Sequence, residues 1–364
     1  MHYSIVTIQI LLADAGNRRR RRGSARVGIK DVAERAGVSV GTVSNVLNRP
    51  EIVSDTAARR VRDAIAELGF VRNEPARQLR TGGSRTLAYV VLDAANPFFT
   101  DVAAGVEEVA AELGLSVFLC NSRQSAERQT SYLEVLGEQR ALGALVTPVG
   151  PGTDGLLVPD EQGMPLVLVD RHDPDGKFCS ASVDDVLGGE LAVRHLLDNG
   201  HRRIAFIGGP LSIGQVADRH AGAARAARAG GGELASIETA AMTAAEGRGA
   251  GQRLLGIPAA ERPTAAFCAN DLLALGLLQE LAQRGVRVPD EIAIVGYDDI
   301  EFAETATVPL SSIRQPRHRL GRTATKLLLR ERSEGAEHRH EQVRFEPELV
   351  VRSSSAARRN PGDG

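Results

Sequence analysis

The chain has 364 residues, 43% hydrophobic and 25% charged, which is long enough for two or three domains with their own cores and excludes disorder as the main state. Cys120, Cys179 and Cys268 include no close pair, which argues against a disulfide framework or a thiolate zinc site and fits a reducing, cytoplasmic setting. The formal net charge of -2 conceals a division, with 16 basic and 7 acidic residues over 17–85 against 28 and 38 over 86–364.

A basic head on an acidic body suits a head that meets a polyanion. No run of 18 apolar residues is present, so no membrane contact is expected. Ile5 to Leu12 is too short to span, and Arg18 to Arg22 follow it, whereas an export signal places positive charge first.

In chain order, Ile29 to Ala36 puts Ile29, Val32, Ala33 and Ala36 at helical spacing, with Asp31 and Glu34 near the start where the helix dipole favours them. Gly37 can end that helix in the left-handed conformation, and Ser39 can cap a second over Val40 to Leu47. So tight a turn predicts a helix-turn-helix. Val43 and Leu47 should pack on the first helix, leaving Val40, Gly41, Thr42, Ser44 and Asn45 outward. A third helix is expected after Ser54, with Ala57, Val61, Ala64, Ile65 and Leu68 on its buried stripe and Gly69 at its end. Ala76 to Arg80 can form one helical turn before Gly82 and Gly83 stop it, and so short a helix reads as a linker until a partner orders it.

From Thr86 onward buried strands and helices alternate. The strand-like runs are Leu87 to Leu92, Ser116 to Leu119, Ala144 to Thr147, Leu166 to Val169, Ile204 to Ile207, Thr264 to Cys268 and Ile292 to Val295. Helical stretches fall at Phe98 to Leu113, Ala126 to Glu138, Leu187 to Asp198 and Asn270 to Arg284. The pattern predicts parallel sheets, and strands resuming after Asp185 predict two similar lobes. Ligands settle at the carboxyl ends of such strands, which directs attention to Asp93, Asn96, Asn121, Asp170, Arg171, Asn270, Asp271, Asp298 and Asp299. Such carboxylates and amides can hold a polyhydroxylated molecule or cap the following helices, and both roles stay open. Asp298 and Asp299, adjacent in an extended segment, should point apart rather than act as an acid pair. No activated nucleophile, phosphate loop or HExxH motif occurs, so no catalytic residue is expected. His338 and His340 lie in a charged tail and are read as solvated, with no metal site expected.

The string IKDVAERAGVSVGTVSNVLN resembles, in register over about twenty positions, the headpiece of LacI/GalR-type bacterial transcription regulators. Further landmarks follow in family order over residues 29 to about 352: Asn96-Pro-Phe-Phe99, LVLVDRH, SVDDVLGG, NGHRRIAFIGGP, ADRHAG, PTAAFCANDLLALG, VPDEIAIVGYDD and PLSSIRQPRHRLGRTA. The Ala- and Gly-rich stretch Gly230 to Gly251 matches poorly.

The resemblance implies an α/β fold class: an N-terminal all-α helix-turn-helix headpiece plus a periplasmic-binding-protein-like body of two Rossmann-like lobes. The implied division is a basic extension at 1–28, helix-turn-helix at 29–73, hinge at 74–84, body at 85–352 and tail at 353–364. Lobe 1 would hold about 85–184 and 314–335, and lobe 2 about 185–313 and 336–352. Residues before Arg26 precede the family's usual start and read as a basic arm or, in preference, a start codon assigned too early.

By resemblance, Val40, Gly41 and Asn45 would meet base edges, Thr42 and Ser44 phosphates, and Asn48 the DNA beside them. Asn45 stands where many members carry Arg and suits adenine better than guanine. Ala76 and Leu79 would belong to a hinge helix whose leucine wedges into the minor groove. In the body, Phe98 or Phe99 would form an apolar wall, and Asp170, Arg219, Asn270 and Asp298 would contact an effector. Asp185 departs from a frequent Asn and would alter the rim of that site. The implied function is a cytoplasmic homodimeric regulator, a repressor whose grip on a near-palindromic operator is controlled by a sugar or related metabolite. No cofactor or enzyme activity is implied, and the tail lacks the heptads of a coiled-coil tetramer.

Overall fold

The computed structural model describes residues 27–70, 84–150, 153, 156 and 163–356, and the chain divides into units Met1–Gly82 and Gly83–Gly364. Ala76, Leu79 and the extension before residue 27 lie outside the described residues.

The first unit holds α1 (Ile29–Ala36), α2 (Val40–Asn48) and α3 (Asp55–Leu68). The Gly28 amide donates to Asp31 Oδ2 at 2.7 Å to open α1, and Gly37 closes it at φ 63°, with Ala33 and Glu34 carbonyls accepting from its amide. The Ser39 and Ser54 hydroxyls accept from the Thr42 and Ala57 amides to start α2 and α3. One small core joins Val32, Ala33 and Ala36 to Val43, Val46, Ala58, Val61 and Ala64. Val46, three residues beyond Val43, lies deeper than the expected Leu47, which is half-buried; both spacings share one helix face. Ala58 replaces the expected Ala57 in the same way.

The body opens with β1 (Thr86–Val91), α4 (Pro97–Glu112), β2 (Ser116–Asn121), α5 (Ala126–Glu138), β3 (Gly143–Val146), β4 (Leu166–Val169) and β5 (Cys179–Val183). A second run comprises α6 (Asp185–Asp198), β6 (Arg203–Gly208), α7 (Gly214–Ala229), β7 (Glu233–Glu238), α8 (Ala244–Gly256) and β8 (Ala265–Cys268). It continues with α9 (Asp271–Gln283), β9 (Ala293–Asp298), α10 (Glu301–Thr305) and β10 (Ser311–Arg314). The chain returns through α11 (Arg317–Glu334) and β11 (Gln342–Phe345), then ends in β12 (Glu348–Val350).

Two six-stranded sheets result, ordered β2-β1-β3-β4-β5-β11 and β7-β6-β8-β9-β10-β12. All neighbours run parallel except β10 and β12. Helices cover parallel strands on both faces, which is why β3, β4 and β5 are buried along their whole length. Strand order reverses between β1 and β3 and again between β6 and β8, and ligand crevices form beyond the carboxyl ends at such points.

Three boundaries differ from the sequence expectation. β11 pairs with β5 in the first sheet, so part of 336–352, expected in lobe 2, belongs to lobe 1. Ser354 and Ser355, expected in a tail, are buried, with the Ser354 hydroxyl donating to the Ile294 carbonyl at 2.7 Å. β7 lies within the Ala- and Gly-rich stretch, where its sequence ELASIE gives no apolar run because it is an edge strand.

Candidate functional site

In the first unit, capping and burial together fix what α2 presents. Val43 and Val46 face inward, while Val40, Gly41, Asn45 and Asn48 are exposed and Thr42 and Ser44 half-buried. Val40 is 42% exposed despite its aliphatic side chain. The Thr42 hydroxyl bonds Ser39 Oγ at 2.9 Å, and Asn48 Nδ2 donates to the Ser44 carbonyl at 2.8 Å. Asn45 therefore stands outward on the turn between two anchored polar residues, with an apolar and a glycine position before it. Such a surface is narrow enough for the major groove, and an asparagine amide can pair with the donor and acceptor of adenine.

In the body, Arg219 lies on α7 and Asp185 opens α6, both buried. Glycines bring the two helices close: a Cβ at Gly189 would fall 2.1 Å from the Arg219 carbonyl oxygen, and one at Gly222 1.9 Å from that of Val186. Arg219 Nε donates to Asp185 Oδ1 at 2.7 Å and Nη1 to the Ala269 carbonyl at 2.8 Å, while the guanidinium lies 3.7 Å from the Tyr297 ring centre. Asp298 Oδ1 is 3.9 Å from Nη1. Burial opposes the arginine's charge, but Asp185, Tyr297, Asp298 and Asp170 outweigh it and raise its pKa.

The acids in this cluster are pushed the other way from ordinary carboxylates. Burial first, then the Asp185 charge, raises Asp170 well above its usual range against the opposing pull of Arg219. Burial likewise raises Asp185 and Asp298, with Arg219 again opposing. One guanidinium serves three acids, so the cluster retains protons at pH values where free carboxylates have lost them.

Both Asp170, at φ 59°, and Asp298, at φ 103°, occupy backbone conformations uncommon for non-glycine residues. They also tie the lobes together. Gln215 Nε2, from lobe 2, donates to the Asp170 carbonyl at 2.8 Å, and Asn96 Nδ2, from lobe 1, to Asp298 Oδ2 at 3.2 Å. Arg171 and Asp218 add an ion pair at 2.8 Å. Gln315, in the segment crossing between lobes, donates to Asp298 Oδ1 at 2.8 Å. No described residue hydrogen-bonds Asp170 Oδ1, although that atom is buried.

Asp170, Arg219 and Asp298 thus come together in one buried cluster. Asn270 follows Ala269, whose carbonyl accepts from Arg219, but the Asn270 Oδ1 caps α9 by accepting from the Leu273 amide and its Nδ2 donates to the Met242 carbonyl. Phe98 and Phe99 are buried in the main core, edge to face at 5.0 Å. Asp185, Gln215, Tyr297 and Gln315 complete the cluster, and none of them is a contact that the sequence singles out; Asp185 marks there only a departure from the family pattern. Asp298 and Asp299 do diverge, Asp299 pairing with Arg314 at 2.7 Å and Arg352 at 2.6 Å. The cause is positive φ at both residues rather than extended backbone.

A separate cleft of about 680 Å³, lined by none of the cluster's residues, opens at the strand ends. Asp93, Asn121, Arg123 and Gln124 line it from lobe 1 and Ser212 and Thr243 from lobe 2. A smaller pocket of about 260 Å³ is lined by Asp170, Arg171, Asp185 and Asp218, among others. His338, expected to be solvated, is a further correction: its side chain is only 3% exposed, because Glu334 and Cys179 hold it from opposite sides. Among the described residues no helix is long and apolar enough to cross a membrane.

Residues 28–73 match the family model for bacterial regulatory proteins, lacI family, and residues 193–355 match a periplasmic binding protein-like domain. The HTH-type transcriptional repressor PurR of Aliivibrio fischeri (strain MJ11) is 36% identical over 330 residues, 90% of this chain and 97% of that protein. Its counterpart in Photobacterium profundum is 34% identical over 331 residues, 90% of this chain and 98% of that protein. A solved complex of the transcriptional regulator CelR with cellobiose is 32% identical, with a TM-score of 0.66, covering 90% of this chain and all of that one. The lac repressor dimer bound to operator and the anti-inducer ONPF is 28% identical, with a TM-score of 0.78, covering 92% of this chain and all of that one. The relatives are transcriptional regulators, the PurR and lac proteins among them repressors, and not enzymes, and the chain, a DNA-binding regulator with a small-molecule effector domain, belongs to the LacI family.

Proposed function

We propose that this regulator works in the cytoplasm as a homodimer on a near-palindromic operator, each headpiece reading one half-site through Val40, Gly41 and Asn45. Thr42, Ser44 and Asn48 hold the flanking backbone. The observation that carries this reading is the outward position of Val40 and Asn45 on a helix whose Val43 and Val46 are buried.

The effector is a neutral polyhydroxylated molecule, a sugar or close relative, taken between the lobes. Ligand hydroxyls replace the amides of Asn96, Gln315 and Gln215 on Asp298 and Asp170. Because those amides join one lobe to the other, exchanging them for ligand alters the balance between lobe arrangements. An effector shifts that balance only by its preference between the two states.

The test is calorimetric titration of the full chain with a panel of mono- and disaccharides, cellobiose included, repeated on Asp298→Asn. Saturable binding of a sugar that weakens about tenfold or more in the variant supports the reading. Binding confined to organic anions, unchanged in the variant, overturns it.

A further inference from the structure

Away from the cleft, on the outer part of lobe 1, four side chains converge from separate segments: Cys179 at the start of β5, Glu331 in the last turn of α11, and His338 and His340 in the loop to β11. One potential ligand atom from each lies within 4.8 Å of the other three. Cys179 Sγ is 3.1 Å from His338 Nε2, and Glu331 Oε2 is 4.0 Å from both His338 Nε2 and His340 Nδ1. Ligands placed tetrahedrally around zinc at 2.0–2.3 Å stand roughly 3.3–3.8 Å apart, so the Cys179–His338 pair is already close to that separation, the two 4.0 Å pairs need to close by well under 1 Å, and no pair by more than about 1.5 Å.

We propose that Cys179, Glu331, His338 and His340 bind one zinc ion. The donor set of one sulfur, two imidazole nitrogens and one carboxylate oxygen suits a borderline-soft cation, whereas magnesium and calcium take oxygen ligands. Thiolate and carboxylate together neutralise the ion, which suits a site beside a buried residue. On binding, the Cys179 proton passes to solvent.

The surroundings supply an independent indication. Glu334 Oε2 lies 2.6 Å from His338 Nδ1, so the ring turns Nε2 toward Cys179. A carboxylate on the far nitrogen of an imidazole is the usual outer support of a zinc-ligating histidine. The Glu341 amide donates to Cys179 Sγ at 3.3 Å, offsetting only part of the burial that pushes this thiol up. The ion acts as a clasp: it fastens the end of α11 and the loop before β11 to β5, and so anchors the strand from which the chain crosses to β12 in the other sheet.

The test uses the untagged full-length chain, stripped with chelator and titrated with zinc against a chromophoric competitor, then with cobalt as a spectroscopic probe. One equivalent of zinc is expected, and cobalt should show a thiolate charge-transfer band and a tetrahedral spectrum. Cys179→Ser should abolish the band, Glu334→Gln should weaken binding about 10- to 100-fold, and Cys120→Ser should change neither. The His340 side chain is already partly exposed, so His340→Ala tests the site even where Cys179→Ser folds poorly, and it should weaken zinc binding at least tenfold. Absence of a saturable equivalent in the wild type, or unchanged affinity in His340→Ala together with an unchanged cobalt spectrum in Cys179→Ser, overturns the assignment.

Discussion

Arg219 Nε meets Asp185 Oδ1 at 2.7 Å with both side chains buried, so the residue best suited to grip an effector is already held by an acid of its own chain. Removing Asp185 leaves the buried guanidinium balanced only by the more distant Asp298 and Asp170, at a cost below the roughly 3–5 kcal/mol of a buried charge left with no partner. Asp185→Ala should therefore lower the body's stability by up to that amount, read as a fall in the denaturant midpoint. Asp185→Asn should cost less, since an amide oxygen can still accept from Nε, and should free positive charge for an anionic ligand. Equal midpoints for wild type and Asp185→Ala would contradict the pairing.

Gly189 allows that pairing by its lack of a side chain. A Cβ there would meet the Arg219 carbonyl at 2.1 Å, and α7 must move away to admit it. Overpacking of this kind costs typically about 1–3 kcal/mol. Gly189→Ala should lower the midpoint by that order and weaken effector binding, whereas Gly231→Ala, with open space around it, should not affect effector binding. Unchanged stability and binding in Gly189→Ala would show that the helix contact does not position Arg219.

The raised pKa values of Asp170, Asp185 and Asp298 set a direction for pH dependence. The folded state keeps protons that the unfolded chain releases near pH 3.9, so it binds more protons above that point. Stability contributed by these groups must then fall as pH rises from about 4 toward their folded pKa values. Asp170→Asn removes one share of this loss, and calorimetric Tm should decline less steeply with pH in the variant. A slope identical to the wild type would mean that Asp170 ionises normally.

Gly41 sits on the exposed face of α2, where an added Cβ would meet only Ser39 Oγ at 3.6 Å. Gly41→Ala should raise headpiece stability by up to about 1 kcal/mol through helix propensity. If the backbone at Gly41 must approach a base pair, the same change should weaken operator binding. Thermal melts and DNA titrations on one preparation separate the two effects, and weaker binding accompanied by a lower Tm would instead mean a damaged fold.

The headpiece was legible in the sequence because its determinants are local: Gly37 ends one helix, Ser39 and Ser54 start others, and the spacing of Val32, Val43 and Val61 gives the core faces. The central strands were legible because parallel strands buried on both faces read as apolar runs. Edge strand β7 carries no such run, and the lobe of β11 is not legible locally because its pairing with β5 is a long-range event. In the effector cluster, family position pointed to Arg219 and Asp298, but the Asp185 and Gln315 partners depend on a helix crossing and an interlobe segment that no local pattern encodes. The burial of His338 escapes the sequence for the same reason, since it depends on Cys179, 159 residues earlier.

The most direct measurement is fluorescence anisotropy of the full chain on DNA from upstream of its own gene against random DNA of equal length, at fixed salt, for wild type and Asn45→Ala. Wild type should bind the upstream DNA at least about 10³-fold more tightly than random sequence. Asn45→Ala should lose about 1–3 kcal/mol of that preference with random binding and Tm unchanged. Equal affinity of the wild type for both DNAs, or a variant that keeps the full preference, would contradict the assignment of α2 as the reading helix.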